Sequence, residues 1–398
     1  MISVQEATSI IQNHLGNFGI ETISLSQCIG RVLQEDILAD APFPSFDRVM
    51  MDGIVVNLEG WNNGVRTFPV QEMQPAGVPK TCLNNKNHCI EVMTGAVLPD
   101  NTDVVIPYEE VTIIDGAATV HLSEIAKWKN IHKTGTDRKE GDLLLSKNTM
   151  ISPAEIATLA AVGKSEVVVS KQPMVAVIST GDELVEVNQI PASHQIRKSN
   201  SHALKASLKE MKISASLIHL PDERQEVINQ LESITNNFDV IILSGGVSKG
   251  KKDYIPEALE TIGVEKHFHR VKQRPGKPFW FGTKDTTTIF ALPGNPVATF
   301  LCFYRYVKPW LLSSMKVDES PNLQFAKLAA DYEFNAPLTY FLQVNVTNQE
   351  GSILATPISG KGSGDFTNLN RADGFVELPE DKSQFKKDEA YPYVSFRL

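Results

Sequence analysis

The spacing of apolar residues changes character several times along the chain. Ser3-Val-Gln-Glu6 has the form of a capping box, and Val4, Ala7, Ile10, Ile11 and Leu15 follow at helical spacing. A helix closed by Gly16 and Gly19 is predicted. From about residue 21 to 150 the apolar residues fall into short runs, at 22–25, 104–107, 111–114, 118–122 and 143–145, separated by Gly, Pro, Asn and Asp. That pattern predicts β structure. Two stretches inside it stand out. APFPSFDRVMMDGIVV (41–56) sets two prolines and an Asp-Gly turn among exposed-looking apolar residues. IEVMTGAVLPDNTDVVI (90–106) sets Met93-Thr94-Gly95-Ala96 between two strand candidates.

Ser152-Pro-Ala-Glu155 is a second capping box, with Pro153 at the first helical position and Ile156, Leu159, Ala160 and Val162 as the apolar face. A helix here makes the β region an insertion between two helical pieces. From about Pro173 strands and helices alternate. Strand 174–179 leads into Thr180-Gly181-Asp182-Glu183, and a helix follows Ser199-Asn200-Ser201. Strand 215–219 leads to Asp222 as a helix cap, and the β-branched run 240–243 stops at Ser244-Gly245-Gly246. Strand 288–292 ends at Pro293-Gly294-Asn295-Pro296, where Asn295 caps a helix running to about residue 312. Such alternation implies a parallel sheet with right-handed crossovers. After Ser320-Pro321 short alternating segments predict a small all-β domain.

Composition narrows the possibilities. A chain of 398 residues is too long for one core, so several domains are expected. No apolar run reaches the roughly 18–20 residues of a membrane span, and the N-terminus has no basic segment before an apolar one, which suggests a cytoplasmic protein. Four cysteines without a Cys-x-x-Cys pair argue against a zinc knuckle or disulfide framework. A net charge of −9 disfavours nucleic-acid binding and makes local basic clusters informative. These are Lys249, Lys251 and Lys252, and Arg270, Lys272, Arg274 and Lys277.

The candidate chemistry gathers at three glycine-bearing strand ends, Gly181, Gly245 and Gly294, because parallel-sheet ligands bind at the carboxyl edge. The adjacent carboxylates Asp182 and Glu183 suit a Mg²⁺ ion bridged to phosphates. Asp253 beside Lys249 and Lys252 suggests a mixed-charge site. Arg274-Pro-Gly-Lys277-Pro displays two cations on a stiff loop, as an oxyanion site requires. Asp52-Gly53, Thr94-Gly95 and Asp137 also fit ordinary turns, and His267 and His269 fit a strand surface. No Gly-x-Ser-x-Gly elbow supports a serine hydrolase.

Taken in order, FDRVMMDG, EVMTGAVLP, STGDEL, IRKSNSHAL, DVIILSGGVSKGKKDY, RPGKPF and LPGNPVA resemble the molybdopterin molybdenumtransferases, the MoeA and gephyrin E-domain family, over essentially the whole chain. The resemblance implies a multidomain α/β plus β fold. Its parts would be a helical linking domain (1–40 and 140–170), an inserted β domain (41–139), a MogA-like α/β domain with a parallel-dominated sheet (171–316) and a C-terminal β-barrel-like domain (317–398). It implies insertion of molybdate into adenylylated molybdopterin with release of AMP, Mg²⁺ dependence, and a homodimer with a composite site. Transient contact with other molybdenum-cofactor biosynthesis proteins and molybdoenzymes is also implied, and neither nucleic acid nor membrane. Carried over by motif, Asp52, Thr94, Asp137 and Glu183 are the catalytic candidates. Gly181, Asp182, Asp222, Ser244, Gly245, Gly246, Asp253, Arg274, Lys277, Pro293, Gly294, Asn295 and Pro296 would line the substrate. Glu183 and Asp253 would hold the metal, and Arg371 is a candidate cation from a partner subunit.

The stretch departs from the family's usual FDNSAMDGYA: the polar pair after Phe-Asp is Arg48-Val49, and the aromatic after Asp-Gly is Ile54. A molybdopterin adenylyltransferase-like enzyme and a non-catalytic molybdopterin-binding scaffold are the alternative readings. The flanking β regions favour the insertion step over the first, and the retained acids favour catalysis over the second.

Overall fold

The computed structural model describes residues 1–247, 253–317, 324–360, 362 and 364–397. Lys249, Lys251 and Lys252 lie outside the described residues. The chain divides into two compact units, Met1–Glu35 with Asn148–Pro153 and Glu166–Leu398, and Asp36–Lys147 with Ala154–Ser165.

The smaller unit is built on a six-stranded sheet in the order Val104–Pro107, Gly53–Val56, Cys89–Val92, Thr67–Gln74, Ala117–Val120 and Val111–Ile114. Gly53–Val56 pairs on both sides and is buried on both faces. Ile54 and Val56 meet Trp61 and Phe68, whereas Val55 packs with Ile90 and Val92. The sequence reading is therefore corrected beyond the Asp-Gly turn. Phe46, Met50 and Met51 are exposed, but Ile54, Val55 and Val56 are core. Gly53 is required because a Cβ there would overlap the Ile106 carbonyl oxygen. In the helix Pro153–Ala161 only Leu159 is buried; Ala160 is exposed, so the apolar face is narrower than its spacing suggested.

In the larger unit a sheet runs Ala215–Leu220, Val175–Thr180, Val240–Ser244, Thr287–Leu292, Trp280–Lys284 and Glu265–His269. The first four strands are parallel and the last two antiparallel, an edge extension that the alternation of motifs did not reveal. His267 and His269 are not surface residues. The His267 ring stacks on His14 with centroids 3.8 Å apart and bonds Thr283 Oγ1 at 2.8 Å, and His269 Nε2 donates to the Val247 carbonyl at 3.0 Å. Burial holds both imidazoles below the ordinary histidine value.

Towards the C-terminus, Thr339–Gln349, Ser352–Pro357, Gln324–Leu328, Ala390–Ser395 and Gly374–Leu378 close into a five-stranded barrel, because the last strand pairs back with the first. The short strand Gln273–Arg274 adds to it in parallel at Thr339–Tyr340, while Trp280–Lys284 belongs to the α/β sheet. The RPGKP loop thus bridges the two sheets. The first helix, Val4–Gln12, is capped by the Ser3–Glu6 box but stops at Asn13 rather than Gly16. The following polar groups are drawn elsewhere: Trp310 Nε1 donates to the His14 carbonyl at 2.8 Å, and Gly16 N–H to Ser314 Oγ at 3.0 Å. Leu15 is 47% exposed as a result.

The long helix predicted after Asn295 comprises Pro296–Cys302, a π turn at Phe303–Val307 and Lys308–Ser314. A π turn is an irregularity that recurs at functional sites. Here it carries Arg305 and Tyr306. Arg305 Nε donates to Glu377 Oε2 at 2.8 Å and its Nη1 to Thr8 Oγ1 at 3.2 Å, tying barrel and first helix to the α/β sheet. Both partners are mostly shielded, at 19% and 11% side-chain exposure, so removing one strands a charge. Arg305→Ala should lower the unfolding free energy by about 3 kcal/mol in urea titrations followed by tryptophan fluorescence, and Arg305→Ala with Glu377→Ala should cost less than Arg305→Ala alone. Equal losses in the two variants would show that the pair is not what is being read.

Candidate active site

Register brings the candidate strand ends into one row. Ser179 is opposite Ser244, and Ser244 is opposite Leu292, so Thr180-Gly181, Gly245-Gly246 and Pro293-Gly294 leave the sheet side by side. Gly245 N–H donates to the Leu292 carbonyl at 3.2 Å, stitching two of these turns together. At Gly181 the backbone sits at φ +125°, and a Cβ there would overlap the Glu183 carboxylate folded back over it. Above the row lies a cleft of about 820 Å³ whose walls include Glu183, Ser244, Gly245, Gly294, Asn295 and Pro296. Gly181, Asp182, Asp222, Gly246, Pro293 and Asp253 are not among its walls.

Two predicted caps take other forms. Glu223, not Asp222, holds the N-cap position of Arg224–Thr235. Asp222 N–H instead donates to Asp182 Oδ1 at 3.1 Å, and Asp182 N–H points to Asp222 Oδ2 at 3.5 Å, which ties two loops together at the sheet edge. Asn295 holds the N-cap position of its helix without a side-chain capping bond. The turn is secured by Asn200, whose Nδ2 donates to Ser244 Oγ at 2.8 Å and the Gly294 carbonyl at 2.7 Å, with Thr299 Oγ1 at 3.2 Å. Sequence reasoning took Asn200 only as part of a helix start; the SNS of IRKSNSHAL was its available signal.

Lys198, another wall residue missed in the sequence, is 10% exposed and donates to Glu186 at 2.5 Å. That bond holds the Glu186 carboxyl below its usual range. Arg274 opens into a second cleft of about 650 Å³, with Pro275, Val297, Tyr340 and Gln343. Gly364 borders both clefts. Lys277 is exposed and lines neither; its carbonyl accepts from Val271 and Phe279 N–H at 3.0 Å each. Arg371 is exposed at the end of the 3-10 turn Phe366–Asn370 and lines neither cleft.

Beneath Arg274 the polar groups are buried. Gln273 is fully buried; Tyr306 Oη donates to its Oε1 at 2.5 Å, and its Nε2 donates to the Gly276 carbonyl at 3.2 Å, with Cys302 Sγ at 3.5 Å. Burial pushes the Cys302 thiol up to about 12, so it stays neutral. A Cβ at Gly276 would overlap both Gln273 Nε2 and Cys302 Sγ.

The smaller unit brings Asp52 and Thr94 together. Asp52 Oδ1 accepts from Thr94 N–H at 2.6 Å and Thr94 Oγ1 at 2.7 Å. Asp47 repeats this arrangement with Thr134, at 2.8 and 2.9 Å. Asp137 is apart from that pair in the hydrogen-bond pattern, joined to His132 Nε2 at 2.9 Å. No three His, Cys, Asp or Glu side chains among the described residues form a cluster fit to hold a metal.

With this geometry in view, the comparisons agree. Residues 2–163 match the MoeA N-terminal region (domain I and II), 176–313 a probable molybdopterin binding domain and 326–395 the MoeA C-terminal region (domain IV). The molybdopterin molybdenumtransferase of a Synechocystis strain is 38% identical over the full length of both chains. That of Staphylococcus aureus strain Mu50 is 31% identical over 97% of this chain and 93% of its own. A crystal structure of the molybdopterin biosynthesis MoeA protein from Pyrococcus horikosii matches over the whole of both chains with a TM-score of 0.84 and 29% identity. The fold is thus the multidomain MoeA fold, with a MogA-like α/β domain and a closed barrel near the C-terminus. The chain belongs to the molybdopterin molybdenumtransferase family.

The bonds from the Thr94 backbone and hydroxyl hold the Asp52 carboxyl below its ordinary value of 3.8. A depressed carboxylate contributes stability that is complete above the ordinary value and is lost as pH falls through the lower folded value. In a carboxyl-detected NMR titration Asp52 should therefore titrate below 3.8, and Thr94→Val should move it back towards 3.8. The backbone N–H bond remains in that variant, so an unchanged midpoint would reject the Thr94 hydroxyl as a cause.

Proposed function

We propose that this enzyme inserts molybdate into adenylylated molybdopterin and releases AMP. The observation that carries this reading is the pairing of two clefts in one unit. One is edged by strand-end backbone and helix N-terminal amides, as a nucleotide-linked phosphate requires. The other is headed by Arg274, whose planar fork suits a tetrahedral oxyanion. Asn200 fixes the Ser244 and Gly294 turns, so backbone donors are oriented before a ligand arrives. Tyr340, at the Arg274 cleft, stays neutral because burial pushes its hydroxyl up.

Magnesium fits as a substrate-borne ion. It binds through one or two carboxylates together with phosphates and water, and Glu183 offers such a carboxylate at the first cleft. Bound there, it would neutralise charge as the bond to AMP breaks. Asp253 is the second candidate ligand.

Each unit holds only part of the polar set: Asp52, Thr94 and Asp137 in the smaller, Glu183 and Arg274 in the larger. The enzyme works as a homodimer in the cytoplasm, with the first set from one subunit serving the second set of the other. Domain limits at 1–40 with 140–170, 41–139, 171–316 and 317–398 accompany this reading. Other cofactor-biosynthesis proteins and molybdoenzymes would meet it transiently, to deliver substrate and take product.

The test is AMP release from adenylylated molybdopterin with molybdate and Mg²⁺. Wild type should turn over. Asp52→Ala should lose at least about a hundredfold in kcat with an unchanged circular dichroism spectrum. Arg274→Ala should raise the KM for molybdate about tenfold or more. Mixed dimers of these two variants should recover activity. Molybdate-independent AMP release would sink the insertion step, and inactive mixed dimers would sink the composite site.

A further inference from the structure

Of the departures Arg48, Val49 and Ile54, two are core residues. Val49 and Ile54 are 1% and 0% exposed, so they alter packing. Arg48 is exposed, and its Nη2 lies 3.2 Å from His132 Nδ1. The other ring nitrogen, Nε2, lies 2.9 Å from Asp137 Oδ1. Arg48 and His132 face each other across the antiparallel pair Arg48–Val49 and Ile131–His132, whose buried rungs are Val49 and Ile131. The Asp137 backbone is itself fixed, its N–H donating to the Phe43 carbonyl at 2.9 Å.

A guanidinium has donors only, so His132 Nδ1 must be the acceptor in this contact. The ring proton is then on Nε2, and it is donated to Asp137. From this chemistry we infer that Arg48 and His132 are positioning residues that set the direction of Asp137. Arg48 as donor and Asp137 as acceptor together require the Nε2–H tautomer of His132, and His132 holds one oxygen of the Asp137 carboxylate while the exposed carboxylate keeps its other oxygen for a ligand or water. The role in turnover rests on the reading of Asp137 given above; the tautomer does not.

The experiment has two arms on the full-length protein. In the first, two-bond ¹⁵N–¹H correlation of labelled histidines reads which His132 nitrogen carries the proton, with His132→Gln identifying the signal. Wild type should show Nε2–H, and Arg48→Met combined with Asp137→Asn, which removes both constraints, a mixture of tautomers. In the second, Arg48→Met and His132→Gln should each lower kcat for AMP release about tenfold, with the KM for molybdate changed less than about threefold. The double variant should fall no further than either single one, because residues acting as one unit are not additive. Arg48→Lys, which keeps an N–H donor, should recover most of the loss.

A protonated Nδ1 in wild type, or losses that multiply in the double variant, would overturn the relay. An Nε2–H signal together with full AMP release by Asp137→Asn would instead overturn the role of Asp137, leaving the three residues a structural pairing without a part in turnover.

Discussion

The site depends on one buried amide. Gln273 has no exposed surface, and a buried amide left unbonded costs about 1–3 kcal/mol. Its partners, Tyr306, Gly276 and Cys302, come from the π turn, the RPGKP loop and the helix before that turn. Satisfying Gln273 therefore fixes where that helix sits against the loop. Arg274 is the next residue and pairs into the barrel edge at Tyr340. An exposed cation thus inherits its position from a neutral network beneath it. Such a network specifies one arrangement because its buried donors and acceptors must all be matched at once.

The same economy governs charge. The protein carries a net charge of −9, yet both clefts are read as holding anions. Backbone amides at strand ends and helix starts supply partial positive charge without adding side chains, and they need no proton to remain positive. Lysine and arginine are then needed at few points. Lys198 is held by Glu186, whereas Arg274 stands at the head of its own cleft. Asp52, with two donors on one oxygen, remains a carboxylate across the neutral range, an acceptor rather than an acid.

Much of this was legible in the sequence, because strong local signals sat where global structure agreed with them. The β-branched run ending at Ser244-Gly245-Gly246 forms a buried parallel strand, and Pro296 opens a helix. Caps were less legible. Asp222 has the right chemistry for an N-cap but bonds Asp182, a residue 40 positions earlier that spacing could not supply. Strand Trp280–Lys284 was hidden by the prolines before it. Asn200 and Gln273 read as ordinary polar residues, because their importance comes from acceptors 44 to 99 positions away for Asn200 and from burial for Gln273.

Burial also decides what a departure from a family pattern means. Val49, Ile54 and Arg48 look equally disruptive in a string of letters. In the fold, the first two are apolar residues in apolar cores, and against the family's serine and tyrosine they change shape and remove a hydroxyl. Arg48 differs in kind, since it brings a fixed charge and a donor into register with His132, which in turn bonds Asp137. An asparagine there could either donate to Nδ1 or accept from it, whereas a guanidinium can only donate. Arginine removes that choice. A substitution that keeps the backbone can still narrow the protonation states of a carboxylate's neighbour, and through it the direction in which the carboxylate acts.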